Sequence, residues 1–145
     1  MFQVQVNFLA ILVCAVVNMA LGFMWYGPLF GKTWTDMMGW SKEQMEAGRI
    51  KMQKEGWKTY LLAFFSSLVM ALVLAKFLFF ASAYFNMSGI KIGMVAGFWS
   101  WLGFVAPVTL SFVLWEGKSW KLWLLTNGYY LLSLLIMGSI LAVWM

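Results

Sequence analysis

The chain of 145 residues has no histidine and a single cysteine, Cys14. Without imidazole there is no His-ligated haem, no imidazole zinc site and no histidine general base. One thiol excludes an intrachain disulfide and any cysteine-built cluster. On an apolar helical stretch, Cys14 reads more simply as a small packing residue than as a nucleophile. Charge is scarce too: 10% of the residues are charged, against about 25% in a soluble domain. The acidic side chains Asp36, Glu43, Glu46, Glu55 and Glu116 all lie outside the long apolar runs. The membrane-embedded carboxylate on which proton-coupled antiporters usually carry their proton is therefore missing. No pair of groups is spaced as nucleophile and base. The expectation is a protein that is not an enzyme and needs no cofactor or metal.

Apolar residues dominate instead, at 63% of the chain with 19% aromatic and a mean hydropathy of +0.83. Four segments, about residues 4–26, 59–84, 92–115 and 122–144, exceed the roughly 20 apolar residues that cross about 30 Å of hydrocarbon. Lipid offers no partner for an open strand, so each must be helical. Continuous runs such as LLAFFSSLVMALVLAKFLFF lack the ten-residue alternation of barrel strands. Nor does the first segment read as a cleaved signal peptide, because no Lys or Arg precedes it and its apolar run is too long. The twelve methionines are scattered through the apolar segments, which points to packing rather than copper ligation. The expected architecture is one all-α domain over residues 1–145, a bundle of four transmembrane helices.

The basic residues orient it. Lys32, Lys42, Arg49, Lys51, Lys54 and Lys58 lie between the first two spans, and Lys118 and Lys121 between the last two. The middle connection has only Lys91. Loops 27–58 and 116–121 are therefore expected in the cytoplasm, with both termini outside. The net charge of +5 is accounted for by topology and by contact with anionic lipid, so no nucleic-acid partner is implied. Lys76, the one charge inside a span, reads as a snorkelling residue.

The first loop opens WYGPLFGKTWTDMMGW. Trp25 and Tyr26 mark the headgroup belt, and Gly27-Pro28 ends the span and can start another helix. On a helical wheel Leu29, Phe30, Trp34, Met37 and Met38 occupy one half, opposite Lys32, Thr35 and Asp36. This predicts a short amphipathic helix lying in the cytoplasmic interface, capped by Gly39. Ser41 with Gln44 predicts a capping box opening a polar helix through about Glu55, so the interfacial and polar helices together cover about 28–56. The phrase GKTW at 31–34 recurs as GKSW at 117–120. Any helix exit selects Gly to turn, Lys to reach phosphate and Trp for the headgroup layer, so Lys32, Trp34, Lys118 and Trp120 are expected at the interface. A sharper reading is an ancient duplication of a helical hairpin, its halves related by an axis along the membrane normal.

WYGPLFGKTWTDMMG, followed by WLGFVAPVTLSFVLWEGKSWKLWLLTNGYYLLSLLIMGSILAVW, resembles the small bacterial and archaeal membrane proteins catalogued as domain of unknown function 1761. The resemblance covers nearly the whole chain, and WYGPLFGKxW is its most specific part. It implies four transmembrane helices, a bacterial or archaeal plasma membrane and no established activity.

Polar detail within the spans supplies the candidate sites. Asn7, Cys14, Asn18 and Trp25 share a stripe about 40° wide on the first helix. On the last helix Asn127 and Gly138 line one face, while Thr126, Tyr130 and Ser133 line the next. Amides are costly in lipid unless paired, so Asn7, Asn18, Asn127 and Tyr130 should point into the bundle, either as interhelical hydrogen bonds or as a binding site. Asn18 and Asn127 both lie within about two turns of the cytoplasmic side, near enough in depth for the two to meet across the bundle. On the third helix Gly93, Gly97, Ser100, Pro107 and Ser111 are expected on one close-packing face that begins with GxxxG, within the bundle or between protomers. Pro107 should kink that helix and free the carbonyl of Gly103, with Thr109 and Ser111 at hand to satisfy freed groups.

Two function classes are consistent with these features. One is a non-catalytic membrane module, either an accessory subunit beside another membrane protein or a binder of an apolar or lipid ligand. The alternative is a self-associating protein whose oligomer forms a passive path or transporter for a small solute or ion.

Overall fold

A computed structural model describes residues 6–145; residues 4 and 5 of the first expected segment lie outside the described residues. Within them the fold is all-helical, with no strand. In chain order the elements are α1 (Phe8–Met24), a π-helical turn (Trp25–Leu29), α2 (Gly31–Met38), α3 (Lys42–Phe85) and α4 (Ile90–Ser100). A second π turn (Trp101–Val105), the short α5 (Ala106–Thr109) and α6 (Ser111–Leu114), and finally α7 (Trp120–Val143) complete it. Four helical stretches are long and apolar enough to cross a membrane: Phe8–Leu29, the apolar part of α3, Ile90–Leu114 and α7.

Helix α1 starts where Asn7 caps it, its Oδ1 accepting from the amides of Leu9 and Ala10 at 3.0 and 3.2 Å. Asn7 thus spends its side chain on a helix end, away from the rest of the stripe assigned to it. The capping box is present as expected: the Gln44 amide donates to Ser41 Oγ at 3.1 Å, and the Ser41 amide to Gln44 Oε1 at 2.9 Å.

From that box α3 runs 44 residues without a break, about 66 Å at 1.5 Å per residue. The sequence predicts a polar helix ending near Glu55 and a separate span from about residue 59, and the structure joins them. Gly56 costs a helix interior about 1 kcal/mol, but neither proline nor a left-handed residue stops the chain there. The left-handed glycines are Gly39, Gly89 and Gly117. Ion pairs Glu46–Arg49 and Glu55–Lys58, at 2.6 and 2.9 Å, lie along the polar part, and the Arg49 guanidinium holds the Glu46 carboxyl below its usual range. The result is an exposed polar arm over residues 41–55.

The core is apolar and central. Cys14, Ala71, Leu78, Ile92 and Met137 are fully buried, drawn from α1, α3, α4 and α7. Helix α7 is the hub, with its closest partner α4. A Cβ on Gly93 would fall onto the Gly138 carbonyl, and one on Gly97 onto the Leu134 carbonyl. The GxxxG therefore serves an intrachain seam. The five-residue face assigned to this helix does not survive beyond it. The π turn at Trp101–Val105 inserts an extra residue and rotates the remainder of the span, so Ala106 is buried and Pro107 is exposed. The proline's strain is taken up next to this turn, and Thr109 Oγ1 donates to the Val105 carbonyl at 2.8 Å.

Candidate functional site

The stripe on α1 is the α1–α7 interface. Cys14 Sγ donates to the Met137 carbonyl at 3.6 Å, Ser133 Oγ to Asn18 Oδ1, and Trp25 Nε1 to the Leu125 carbonyl at 3.2 Å. Steps of four and then seven residues up the first span are matched by steps of four and then eight down α7, as antiparallel packing requires. Asn18, buried among them, also donates from Nδ2 to Ser67 Oγ on α3 at 2.8 Å, and the Tyr129 hydroxyl donates to its Oδ1 at 3.3 Å. Ser67 in turn donates to the Ala63 carbonyl. One amide thereby ties three helices together.

Asn127 forms a second cluster. Its Nδ2 reaches Thr109 Oγ1 at 2.9 Å and the Trp123 carbonyl at 3.1 Å. Asn18 and Asn127 do not share a hydrogen-bond partner. Tyr129 and Ser133, four apart on α7, face α1, whereas Asn127 is turned toward the kinked third segment. Tyr130 is half-buried and packs its ring against Tyr129 at 5.3 Å. The tyrosine that matters to Asn18 is Tyr129, which sequence reasoning missed. Its signal was the Tyr129–Ser133 pair at helical spacing, with Gly22 opposite, where a Cβ would meet the Tyr129 hydroxyl at 3.1 Å.

Around these clusters, the end of the bundle carrying the α1–α3 and α6–α7 connections is built from aromatic rings. Trp40, Trp34, Tyr26 and Tyr129 form a chain of edge contacts with centroid separations of 5.1, 5.4 and 5.3 Å. Trp25 packs on Phe30 at 4.6 Å and closes over Gly128. Trp25 and Tyr26 thus turn partly inward, while Lys32 and Trp120 are exposed.

Two hollows open at this end. One, of about 380 Å³, lies beside Asn18, Gly22, Tyr26, Tyr60 and Tyr129. The other, of about 250 Å³, is bounded by Trp34 and Met38 of α2, Thr109 and Phe112, and Leu122 and Trp123 of α7. Asn127 also lines it, as do Glu116 and Lys118 from the connection before α7. Its walls are mostly apolar, its polar side groups are Thr109, Thr126 and Asn127, and its charges are one of each sign. Glu116 is exposed and Lys118 half-buried. Among the described residues the ion pairs are those on the polar arm, so the charges of the cleft are not paired with each other. The Trp123 indole N–H is buried without a partner in the protein.

The two copies of the repeated phrase meet here, through Trp34 of the first and Lys118 of the second. Their backbones differ. Gly31 begins α2, pressed so close to the Tyr26 carbonyl that a Cβ would lie 2.7 Å from it. Gly117 is left-handed at φ 68°, and Ser119 then caps α7 by accepting from the Leu122 amide.

The family model described as "Protein of unknown function (DUF1761)" matches residues 9–142. The chain belongs to this family. The match takes in both π turns, both hollows and every residue of the two amide clusters. No curated protein and no solved structure matches the chain.

Proposed function

We propose that the chain is a non-catalytic, multi-pass membrane protein that holds a lipid or similar amphiphile in the cleft between α2, the third span and α7. The observation that carries this reading is the cleft itself: about 250 Å³ with mostly apolar walls, polar groups inside, and both signs of charge at one edge. Ligand pockets combine mostly apolar lining with a few placed polar groups in this way.

The setting supports membrane insertion. Phe65, Phe80, Phe104, Leu62 and Trp99 are each about 60% exposed or more, on faces that water would penalise and lipid would not. In the proposed placement both termini lie outside a bacterial or archaeal plasma membrane, and loops 27–58 and 116–121 face the cytoplasm. Helix α2 then sits in the interface, with Trp34 and Met38 turned to the cleft rather than to lipid alone. The polar arm of α3 stands in the cytosol, free to meet an accessory partner.

The solute-path alternative has less behind it. Both buried amides are committed to bonds inside the chain, and Cys14, Leu74, Leu78, Ile92 and Met137 bury apolar side chains between the spans. A path would have to run between protomers. Native mass spectrometry of protein extracted in mild detergent from its own membranes tests the two. A lipid adduct retained by the wild type and lost in Phe112→Trp, with the fold intact, is the expected result. A lipid-free homo-oligomer that conducts solute in vesicles would overturn it.

A further inference from the structure

The cleft carries more information than its apolar walls. Glu116 and Lys118 line the same edge, two residues apart, with left-handed Gly117 between them. The Lys118 amide donates to the Phe112 carbonyl at 3.0 Å, which folds this turn back over the end of the third span. The two charges are not paired with each other: the ion pairs among the described residues are Glu46–Arg49 and Glu55–Lys58. Immediately beyond, Ser119 opens the 24-residue helix α7, whose N-terminal amides add partial positive charge on the lysine side.

We propose that the cleft selects a phospholipid with a zwitterionic headgroup, its phosphate toward Lys118 and the start of α7 and its ammonium toward Glu116. This rests on the amphiphile reading above and narrows it to a headgroup class. A purely anionic lipid would satisfy Lys118 but would bring a second negative charge beside Glu116. A neutral apolar ligand would leave both charges idle. A headgroup with one charge of each sign meets both. The ring of Trp123 belongs to the same lining, and its indole N–H is buried without a partner in the protein.

The test uses the full chain in nanodiscs of equimolar phosphatidylethanolamine and phosphatidylglycerol. Each is supplied in turn as a tracer with a photoreactive acyl chain, and crosslinked peptides are mapped. Because the edge is partly solvated, preference is expected to be about three- to tenfold for the zwitterionic lipid, with crosslinks at Trp34, Met38 or Phe112. Phosphatidylcholine as a third tracer should also be preferred over phosphatidylglycerol. Glu116→Gln, an exposed substitution that leaves the fold alone, should bring the ratio close to one. Lys118→Gln should lower capture of both phospholipids. Crosslinks in the cleft without headgroup preference, or with the anionic lipid favoured, would overturn the headgroup assignment and leave the amphiphile reading standing. No cleft crosslink from any tracer would overturn both.

Discussion

Replacing Asn18 by leucine separates a structural hub from a paired-amide channel lining. The side chain is 6% exposed and bonds Ser67 on α3 and both Ser133 and Tyr129 on α7. Interhelical hydrogen bonds of this kind are worth about 0.6–2 kcal/mol each in a membrane. They do not add fully, because Ser67 keeps its bond to the Ala63 carbonyl and the Tyr129 contact at 3.3 Å is long. Leucine keeps the same number of side-chain heavy atoms while removing both polar ones. The net cost should be about 1–3 kcal/mol, read from SDS-driven unfolding in mixed micelles. Double-mutant cycles sharpen the test. Asn18→Leu with Ser67→Ala should show coupling of about 1 kcal/mol, whereas Asn18→Leu with Asn127→Leu should be additive within about 0.5 kcal/mol, since the two amides share no partner. Coupling above about 1 kcal/mol between the asparagines, or a stability for Asn18→Leu equal to the wild type, would refute the assignment of two separate clusters.

Three further substitutions probe helix packing and helix ends elsewhere in the bundle. Gly93→Ala drives a methyl into the Gly138 carbonyl and should cost about 3 kcal/mol or abolish folding, measured by the same unfolding assay. Trp25→Phe keeps the ring but removes the bond to the Leu125 carbonyl, for a loss of about 1 kcal/mol. Asn86→Gly relieves a left-handed residue at φ 49° that ends α3 and should stabilise by up to about 1 kcal/mol, visible as a higher midpoint.

The spans were legible because length and hydropathy decide them, and the Ser41–Gln44 box because its two bonds are local. The face of each helix was legible only while its period stayed at 3.6. Cys14, Asn18 and Trp25 kept their shared face through α1, and all three bond α7. On the third span a single extra residue at Trp101–Val105 rotated Pro107 outward, and neither composition nor spacing announces a π turn. Tyr129 was not legible in the sequence for a related reason. Asn18 approaches α7 from the α1 side, and the direction from which a neighbour comes is a tertiary fact. Near Gly56 the sequence holds a composition change but no stop signal, so the helix continued across it.

The recurrence of GKTW as GKSW acquires a physical meaning that does not depend on how it arose. The two glycines do different work, one at a close approach to the Tyr26 carbonyl and one in a left-handed turn. Similarity of backbone therefore did not preserve the phrase. What the copies share is a place: each comes just after an odd-numbered span, and the two odd-numbered exits converge on α7. Trp34 from one and Lys118 from the other line one cleft because α2 folds back after the first π turn, and the turn at Gly117 folds back after the third span. Each copy carries both a Lys and a Trp, yet the cleft takes the ring from one and the charge from the other. If the cleft is where the ligand sits, Trp34→Ala should lower capture of the acyl chain, and Lys118→Gln should weaken recognition of the phosphate. The same changes at Lys32 and Trp120, both exposed outside the lining, should leave capture unaltered. Equal losses at all four positions would mean that the phrase serves only as an interfacial anchor.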